Sequence, residues 1–141
     1  MRDRPSGAEL LAAAHKLLRE ELLAALPADR KHDALMVANA LSIAARQLEY
    51  GEAPERRELR ALAALLENPE AGEPSDPTEL RAALLLANQH LARRIRHGAG
   101  DPGRPQRDAI LAHLRGTTRQ RVLESNPKYL KGRRGQAAAR P

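Results

Sequence analysis

The sequence predicts an all-α protein: a single-domain bundle of about five helices with a central, mostly buried second helix. Apolar residues recur at helical spacing, and capping residues, prolines and glycines punctuate the segments between them. Alanine, leucine, arginine and glutamate dominate, and these residues favour helices. A length of 141 residues suits one domain. We place that domain at 1–127 and expect a basic, disordered tail at 128–141.

The first predicted helix runs from about Gly7 to Leu26, and Pro27 ends it. Ser6 and Glu9 have the spacing of a capping box, in which each side chain accepts a hydrogen bond from the other's backbone N–H. The predicted core face consists of Leu10, Ala14, Leu17, Leu18 and Ala25.

The second predicted helix begins near a cap at Asp29 and ends at Gly51, which suits a left-handed position after a helix. Its apolar residues cover well over half of the helix circumference, which is wider than the stripe of a surface helix. We therefore expect neighbouring helices to surround it. The apolar arc consists of Met36, Val37, Ala40, Leu41, Ile43, Ala44, Ala45 and Leu48.

Four polar residues of this second helix follow a 3, 4, 3 spacing and so lie along one line: Asn39, Ser42, Arg46 and Glu49. We call this line the polar seam. One interpretation is that it is simply where the helix meets water. The other is that it faces a partner chain or a neighbouring helix. We expect partial burial of the seam, because the helix has so few polar positions and they are aligned.

Three further helices are predicted in the second half of the chain. One begins around Pro54 and ends at Asn68, and a loop at 68–77 follows it. The next runs from a cap at Asp76 to about His97, and the last from about Pro105 to Glu124. Two leucines, Leu85 and Leu86, fall off the core stripe of their helix. They contact either flanking helices of the bundle or a partner.

Composition excludes several classes of function. The chain has no cysteine, which removes disulfides, thiolate metal sites and cysteine nucleophiles. We find no apolar leader and no run long enough to cross a membrane, so we expect a cytoplasmic protein. The net charge of +6 combines an acidic half with a basic half. Residues 1–79 hold 10 basic and 15 acidic residues, whereas residues 80–141 hold 14 and 3. These halves can neutralise each other, which weakens a nucleic-acid interpretation.

No catalytic or metal-binding pattern is found. His90 and His97 share a helix face, but two helical turns, roughly 10.5 Å, separate them, too far for one metal ion. No metalloprotease motif, phosphate-binding loop or nucleophile elbow is present. We therefore predict no catalytic residue, no metal and no cofactor.

A basic patch is predicted around the end of the fourth helix. Two interpretations stand. Cations favour a helix C-terminus and can pair with the acidic half, or the patch docks an anion such as a nucleotide or coenzyme A phosphate, or an acidic protein face. Without Phe or Trp the chain offers no stacking platform for single-stranded nucleic acid. The patch consists of Arg93, Arg94, Arg96, His97, Arg104 and Arg107.

Three segments together resemble a known family: RPSGAELL near the start, LMVANALSIAARQLEYG in the second helix and ILAHLRGTTRQRVLESNPKYL near the end. The likeness covers residues 4–130. It is to a family of small bacterial all-helical proteins of unknown function, whose members are typically encoded beside an aminoglycoside-phosphotransferase-like kinase and an acyl-CoA dehydrogenase. The best understood of them resembles the small accessory subunit of a 4-hydroxyacyl-CoA kinase in levulinate catabolism.

The resemblance implies an accessory subunit without an active site of its own, which supports a phosphotransferase-like kinase acting on a hydroxyacyl-CoA. The alternative is a helical scaffold that self-associates as a homo-oligomer, or a regulator that binds nucleic acid through the basic half. Together with Ser42 of the seam, the positions in the matching segments are the expected partner-binding residues: Asn39, Arg46, Glu49, His113, Ser125, Asn126 and Pro127.

Overall fold

The computed structural model describes residues 4–68 and 74–130, and within these ranges every regular element is a helix. The predicted all-α class and the number of about five long helices are therefore confirmed. The long helices are α1 (Gly7–Leu17), α3 (Lys31–Tyr50), α4 (Ala53–Leu65), α5 (Pro77–Arg96) and α6 (Arg107–Ser125). A π-helix (Leu18–Leu22) and the short α2 (Leu23–Ala25) extend α1, and a 3₁₀ turn (Ala28–Arg30) leads into α3.

Local sequence signals account for most helix ends. The capping box before α1 is present: the Glu9 N–H donates to Ser6 Oγ at 3.3 Å, and the Ser6 N–H donates to Glu9 Oε2 at 2.6 Å. Gly51 follows α3 with a φ of 55°, as a left-handed stop requires. The predicted cap at Asp29 is wrong. Asp29 lies within the 3₁₀ turn, and α3 begins after Arg30 without a side-chain cap.

The chain divides into two compact units, residues 1–51 and residues 52–141. In the N-terminal unit, α1 packs against α3. The buried residues of α3 are all alanines, and α1 has none. Small side chains let two helix backbones approach closely over a narrow line. The buried alanines are Ala34, Ala38 and Ala45.

The π-helix decides which residues of the first helical segment face α3. Along the whole segment from α1 to α2, successive half-buried positions are 3, 4 and 3 residues apart as far as Leu18, and the next one is 5 residues later. One extra residue per turn rotates the chain, so Leu23 takes the inward place that Leu22 would have in a regular α-helix. Leu22 is consequently exposed. The half-buried positions are Ala8, Leu11, His15, Leu18, Leu23 and Leu26.

This arrangement corrects two predictions. Leu10 and Leu17, which we expected in the core, are exposed, because the contact stripe lies on the neighbouring face of α1. The expected burial of most of the second helix is also wrong. Met36, Val37 and Leu48 are each more than half exposed, and the buried residues of α3 are confined to its alanine line.

The C-terminal unit has a core of larger side chains, in which Leu62 of α4, Leu91 of α5 and Ile110 of α6 meet. Later residues of α4 contact later residues of α5: Glu55 pairs with Arg81, and the Leu65 carbonyl oxygen is contacted by Arg94. The two helices therefore run in the same direction.

Contacts between α4 and α6 run oppositely. Glu58 pairs with Arg121, and Glu67 accepts a hydrogen bond from Gln106. Helix α6 is therefore antiparallel to both of the others, with α4 in contact with each.

The predicted domain boundary at 127 is not decided by the described residues. Residues 127–130 form a helical turn, where we expected disorder from 128 onward. The rest of the predicted tail, 131–141, lies outside the described residues, as do residues 69–73 of the predicted loop.

Candidate functional site

An open groove of about 840 Å³ lies within the C-terminal unit. Helix α4 forms its floor, and α5 and α6 form its walls. We call it the α4 groove. From α4 it is lined by Pro54, Glu55, Arg57, Glu58 and Ala61, from α5 by Arg81, Leu84, Leu85 and Asn88, and from α6 by Ala112, His113, Gly116, Thr117, Gln120, Arg121 and Glu124.

Small residues keep the α4 groove wide. Ala61 lies on α4, and Ala112 and Gly116 lie one turn apart on α6. A Cβ added at Gly116 would meet no atom within 4 Å, so no contact inside the described molecule requires glycine there. Glycine within a helix costs roughly 1 kcal/mol relative to alanine. The open space beside Gly116 therefore belongs to the groove.

A polar cluster holds the centre of the groove. Asn88 Nδ2 donates to Glu58 Oε1 at 3.1 Å and to the Leu84 carbonyl oxygen at 3.0 Å. Arg121 Nη2 lies 3.8 Å from the same Glu58 oxygen. The Glu58 side chain is only 16% exposed, so these contacts compensate a carboxylate that is mostly removed from water. The cluster ties α5 and α6 to the α4 floor.

Two further pairs occupy the rims. Arg81 Nε lies 3.6 Å from Glu55 Oε1 between α5 and α4, and Gln120 Nε2 donates to Glu124 Oε1 at 2.8 Å along α6. The groove lining carries three acidic and three arginine side chains. Its polar groups are thus matched to one another rather than gathered to hold one strongly charged ligand.

Of the predicted partner-binding residues in this unit, His113 lines the groove. The other three lie together at the end of α6. Ser125 Oγ donates to the Arg121 carbonyl oxygen at 2.9 Å, Asn126 is the residue after the helix, and Pro127 begins the following helical turn. Their role in binding a partner stays a prediction.

The polar seam lies on α3 in the N-terminal unit. Ser42 and Arg46 are half-buried, whereas Asn39 and Glu49 are exposed. The expected partial burial is therefore found at the two central positions. Whether the seam binds a partner stays a prediction.

Two arginines of the predicted basic patch are half-buried and contact neighbouring residues of the same unit. Arg94 is half-buried, and its guanidinium donates to Gln106 Oε1 at 2.8 Å and toward the Leu65 carbonyl oxygen at 3.5 Å. Arg107 is also half-buried and lies 3.8 Å from Asp108. The remaining members are exposed: Arg93, Arg96, His97 and Arg104.

The two leucines off the core stripe of α5 differ in their position relative to the groove. Leu85 is 60% exposed and lines the groove, whereas Leu86 is 65% exposed and lies outside it. Burial of both against flanking helices is therefore not observed. The pair provides two equally exposed leucines, of which only one belongs to the groove.

Sequence reasoning missed Glu58, Asn88 and Arg121 as members of one site. The available signal was Asn88, a polar residue beside the apolar stripe that includes Ala87 and Leu91, together with a glycine in the middle of α6. Within 4–68 and 74–130, no group of three or more His, Asp or Glu residues could hold a metal ion. Among the described helices, none has the length and hydrophobicity of a membrane span.

Comparison with protein families gives a match over most of the chain. A family described as a domain of unknown function, DUF6285, matches residues 24–129, which include every residue that lines the α4 groove. No curated protein and no solved structure matches the chain. Because the match covers well over half of its length, the chain belongs to the DUF6285 family.

Proposed function

We propose that this chain is a non-catalytic interaction subunit and that the α4 groove receives a helix of its partner. The observation that carries the proposal is the groove itself, a gap between two antiparallel walls above a helical floor. A fourth helix laid in this gap would complete a bundle, which is how helical proteins commonly bury their apolar faces.

The dimensions of the groove suit a short helix. Its α4 residues span Pro54 to Ala61, and its α6 residues span Ala112 to Glu124. At 1.5 Å per residue these stretches are about 10 Å and about 18 Å long, or two to three helical turns. Ala61 of the floor and Ala112 and Gly116 of the α6 wall allow close approach of another backbone. Leu84 and Leu85 supply apolar contact.

The charges favour a protein over a small anion. The groove carries as many acidic as arginine side chains, and Glu58 already has Asn88 and Arg121 as partners. A phosphate of a nucleotide or of coenzyme A would meet acidic oxygens as well as guanidinium groups. A helix with mixed charges flanking an apolar stripe would find partners on both walls.

The proposed partner is a phosphotransferase-fold kinase that acts on a hydroxyacyl-CoA. This identity rests on the resemblance of three segments to a family whose best understood member resembles the accessory subunit of such a kinase. One of those segments, residues 110–130, supplies the α6 wall of the groove. In this proposal the kinase contributes the active site, and this chain stabilises the kinase.

The test is co-expression with the candidate kinase, followed by measurement of the dissociation constant by calorimetry for Leu85→Asp and Leu86→Asp. Both leucines are exposed, so neither change should unfold the chain. We expect Leu85→Asp to weaken binding at least tenfold and Leu86→Asp to leave it nearly unchanged.

A second variant, Gly116→Leu, fills the groove from the α6 wall without a clash at its Cβ and should also block binding. Equal effects of the two leucine variants would remove the groove as the binding site. A kinase that purifies alone with full activity, and forms no complex on gel filtration, would end the proposed function.

A further inference from the structure

The N-terminal unit carries an apolar surface of its own. On α1, the contact stripe toward α3 includes Leu11 and Leu18, whereas Leu10 and Leu17 lie on the neighbouring face. At 100° per residue this face is turned by about 110° from the contact direction. Both leucines are exposed in the described molecule.

Helix α3 repeats the arrangement. Its contact line follows Ala34, Ala38 and Ala45, and the exposed Val37 and Leu48 are turned away from it by about 60–80° in the same rotational sense as on α1. Ala40 lies farther round on that side, at about 140°, and is exposed, whereas Met36 points directly away from the contact line.

These two stripes lie on the same side of the helix pair. The helices are antiparallel, because a Cβ at Gly7 near the start of α1 would lie 3.2 Å from Leu48 near the end of α3. In an antiparallel pair, equal rotations in the same sense from the contact direction point to the same side. The hairpin thus presents a largely apolar face, formed by Leu10, Leu17, Val37, Ala40 and Leu48.

The opposite side of the hairpin is mostly polar, with Leu35 as an exposed apolar residue. The polar seam of α3 is rotated from the alanine line in the other sense. Lys16 of α1 lies on that side and is 3.9 Å from Glu20 in an exposed ion pair. The hairpin is therefore amphipathic as a unit, and its apolar face is distinct from the side that suits water.

We propose that this apolar face is a homodimer interface, in which the hairpins of two copies pack face to face as a four-helix bundle. Within 4–51 the buried residues are three alanines, so a single hairpin gains little from apolar burial. A second copy supplies a face of the same length and the same apolar character, with the charged Asp33 near the start of α3. An isologous contact then pairs apolar residues along most of its length.

The area meets the need of a stable dimer. Helix α3 has 20 residues, which corresponds to about 30 Å, and two packed helices are about 20 Å across, so one face covers roughly 600 Å². Two copies together bury roughly 1,200 Å², which reaches the range of specific, stable interfaces. An apolar face of this size lies at the upper end of what monomeric proteins commonly leave in water.

Sedimentation equilibrium of the chain alone tests the proposal over a range of micromolar concentrations. The variants are Val37→Glu on the apolar face and Asn39→Glu, an exposed position on the polar side of the same helix. We expect a wild-type dimer, a dissociation constant raised at least tenfold by Val37→Glu, and no change with Asn39→Glu. Circular dichroism checks helix content, and Leu17→Glu repeats the test from α1.

A wild-type chain that stays monomeric at the highest concentration overturns the proposal. So does an Asn39→Glu variant that dissociates as readily as Val37→Glu. A dimer that is dissolved by Leu85→Asp but not by Val37→Glu or Leu17→Glu would place self-association at the α4 groove instead. Because no kinase is present in this experiment, its outcome is independent of the proposed function.

Discussion

The two units of this protein bury apolar surface in different ways. The C-terminal unit joins three helices around Leu62, Leu91 and Ile110, large side chains that are almost completely removed from water. The N-terminal unit joins two helices along a line of alanines and leaves larger apolar side chains exposed. The difference shows that helical periodicity alone does not say how much of an apolar face will be covered, because coverage depends on how many neighbours a helix has.

The largest expected effect comes from the core of the C-terminal unit. Leu62 is fully buried, so Leu62→Ala should lower the free energy of unfolding by ~2–5 kcal/mol, through lost burial and the cavity left behind. Denaturant unfolding followed by circular dichroism measures it. Leu86→Ala is the control and should change stability by less than ~0.5 kcal/mol. Similar losses in both variants would contradict the distinction between core and surface.

At the alanine line we expect a larger side chain, rather than a smaller one, to lower the free energy of unfolding. Ala38 is fully buried between α1 and α3, and Ala38→Leu should cost ~1–3 kcal/mol by forcing the helices apart. Hydrogen exchange should show the loss of protection in residues 7–50. Ala40→Leu on the exposed side of α3 should be tolerated by the fold. If Ala38→Leu were neutral, the close packing of this hairpin would be refuted.

A smaller gain is expected in the wall of the α4 groove. Gly116 is helical and a Cβ there has open space, so Gly116→Ala should raise the free energy of unfolding by up to ~1 kcal/mol. Gly51→Ala is the contrasting control and should destabilise, since Gly51 has a φ of 55°. A destabilising Gly116→Ala would mean that α6 needs glycine for its own conformation.

The smallest effect concerns acid stability at the start of α5. The backbone N–H groups of Glu79 and Thr78 donate to Asp76 and hold the pKa of its carboxyl below the ordinary value. The stabilisation is complete above the ordinary pKa of about 3.9 and is lost as the pH falls through the lowered pKa.

The variant Asp76→Asn keeps a capping oxygen without a titrating proton. Its melting temperature should therefore fall less than that of the wild type between pH 4 and pH 2. Parallel acid dependence in the two proteins would rule out a contribution from this cap.

Signals that are local in sequence predicted the fold well. The Ser6–Glu9 capping box, the Asp76 cap and the Gly51 stop depend on neighbours within a few residues, and all three are present. The direction in which α1 faces was predicted wrongly, because its contact stripe passes through Leu11 and Leu18 and leaves Leu10 and Leu17 exposed. Beyond Leu18 the π-helix shifts the stripe by one residue, and the sequence between Leu18 and Leu22 carries no obvious signal of it.

The candidate site was harder to predict. Glu58 and Arg121 are 63 positions apart in the sequence, and Asn88 lies between them, so only the packing of three helices unites them. Of the predicted partner-binding residues, His113 was the one that the groove incorporated. The parallel course of α4 and α5 also has no local signature.

The π-helix also means that the first helical segment holds one residue more than its contact with α3 needs. Leu18 and Leu23 are five positions apart and both half-buried. Removing one residue between Leu18 and Leu22 would give them the four-residue spacing of a regular α-helix, so Leu23 and Leu26 would still face α3. Inserting a second residue there would instead turn Leu23 and Leu26 away from α3 by about 100°, so this segment should tolerate a deletion better than an insertion.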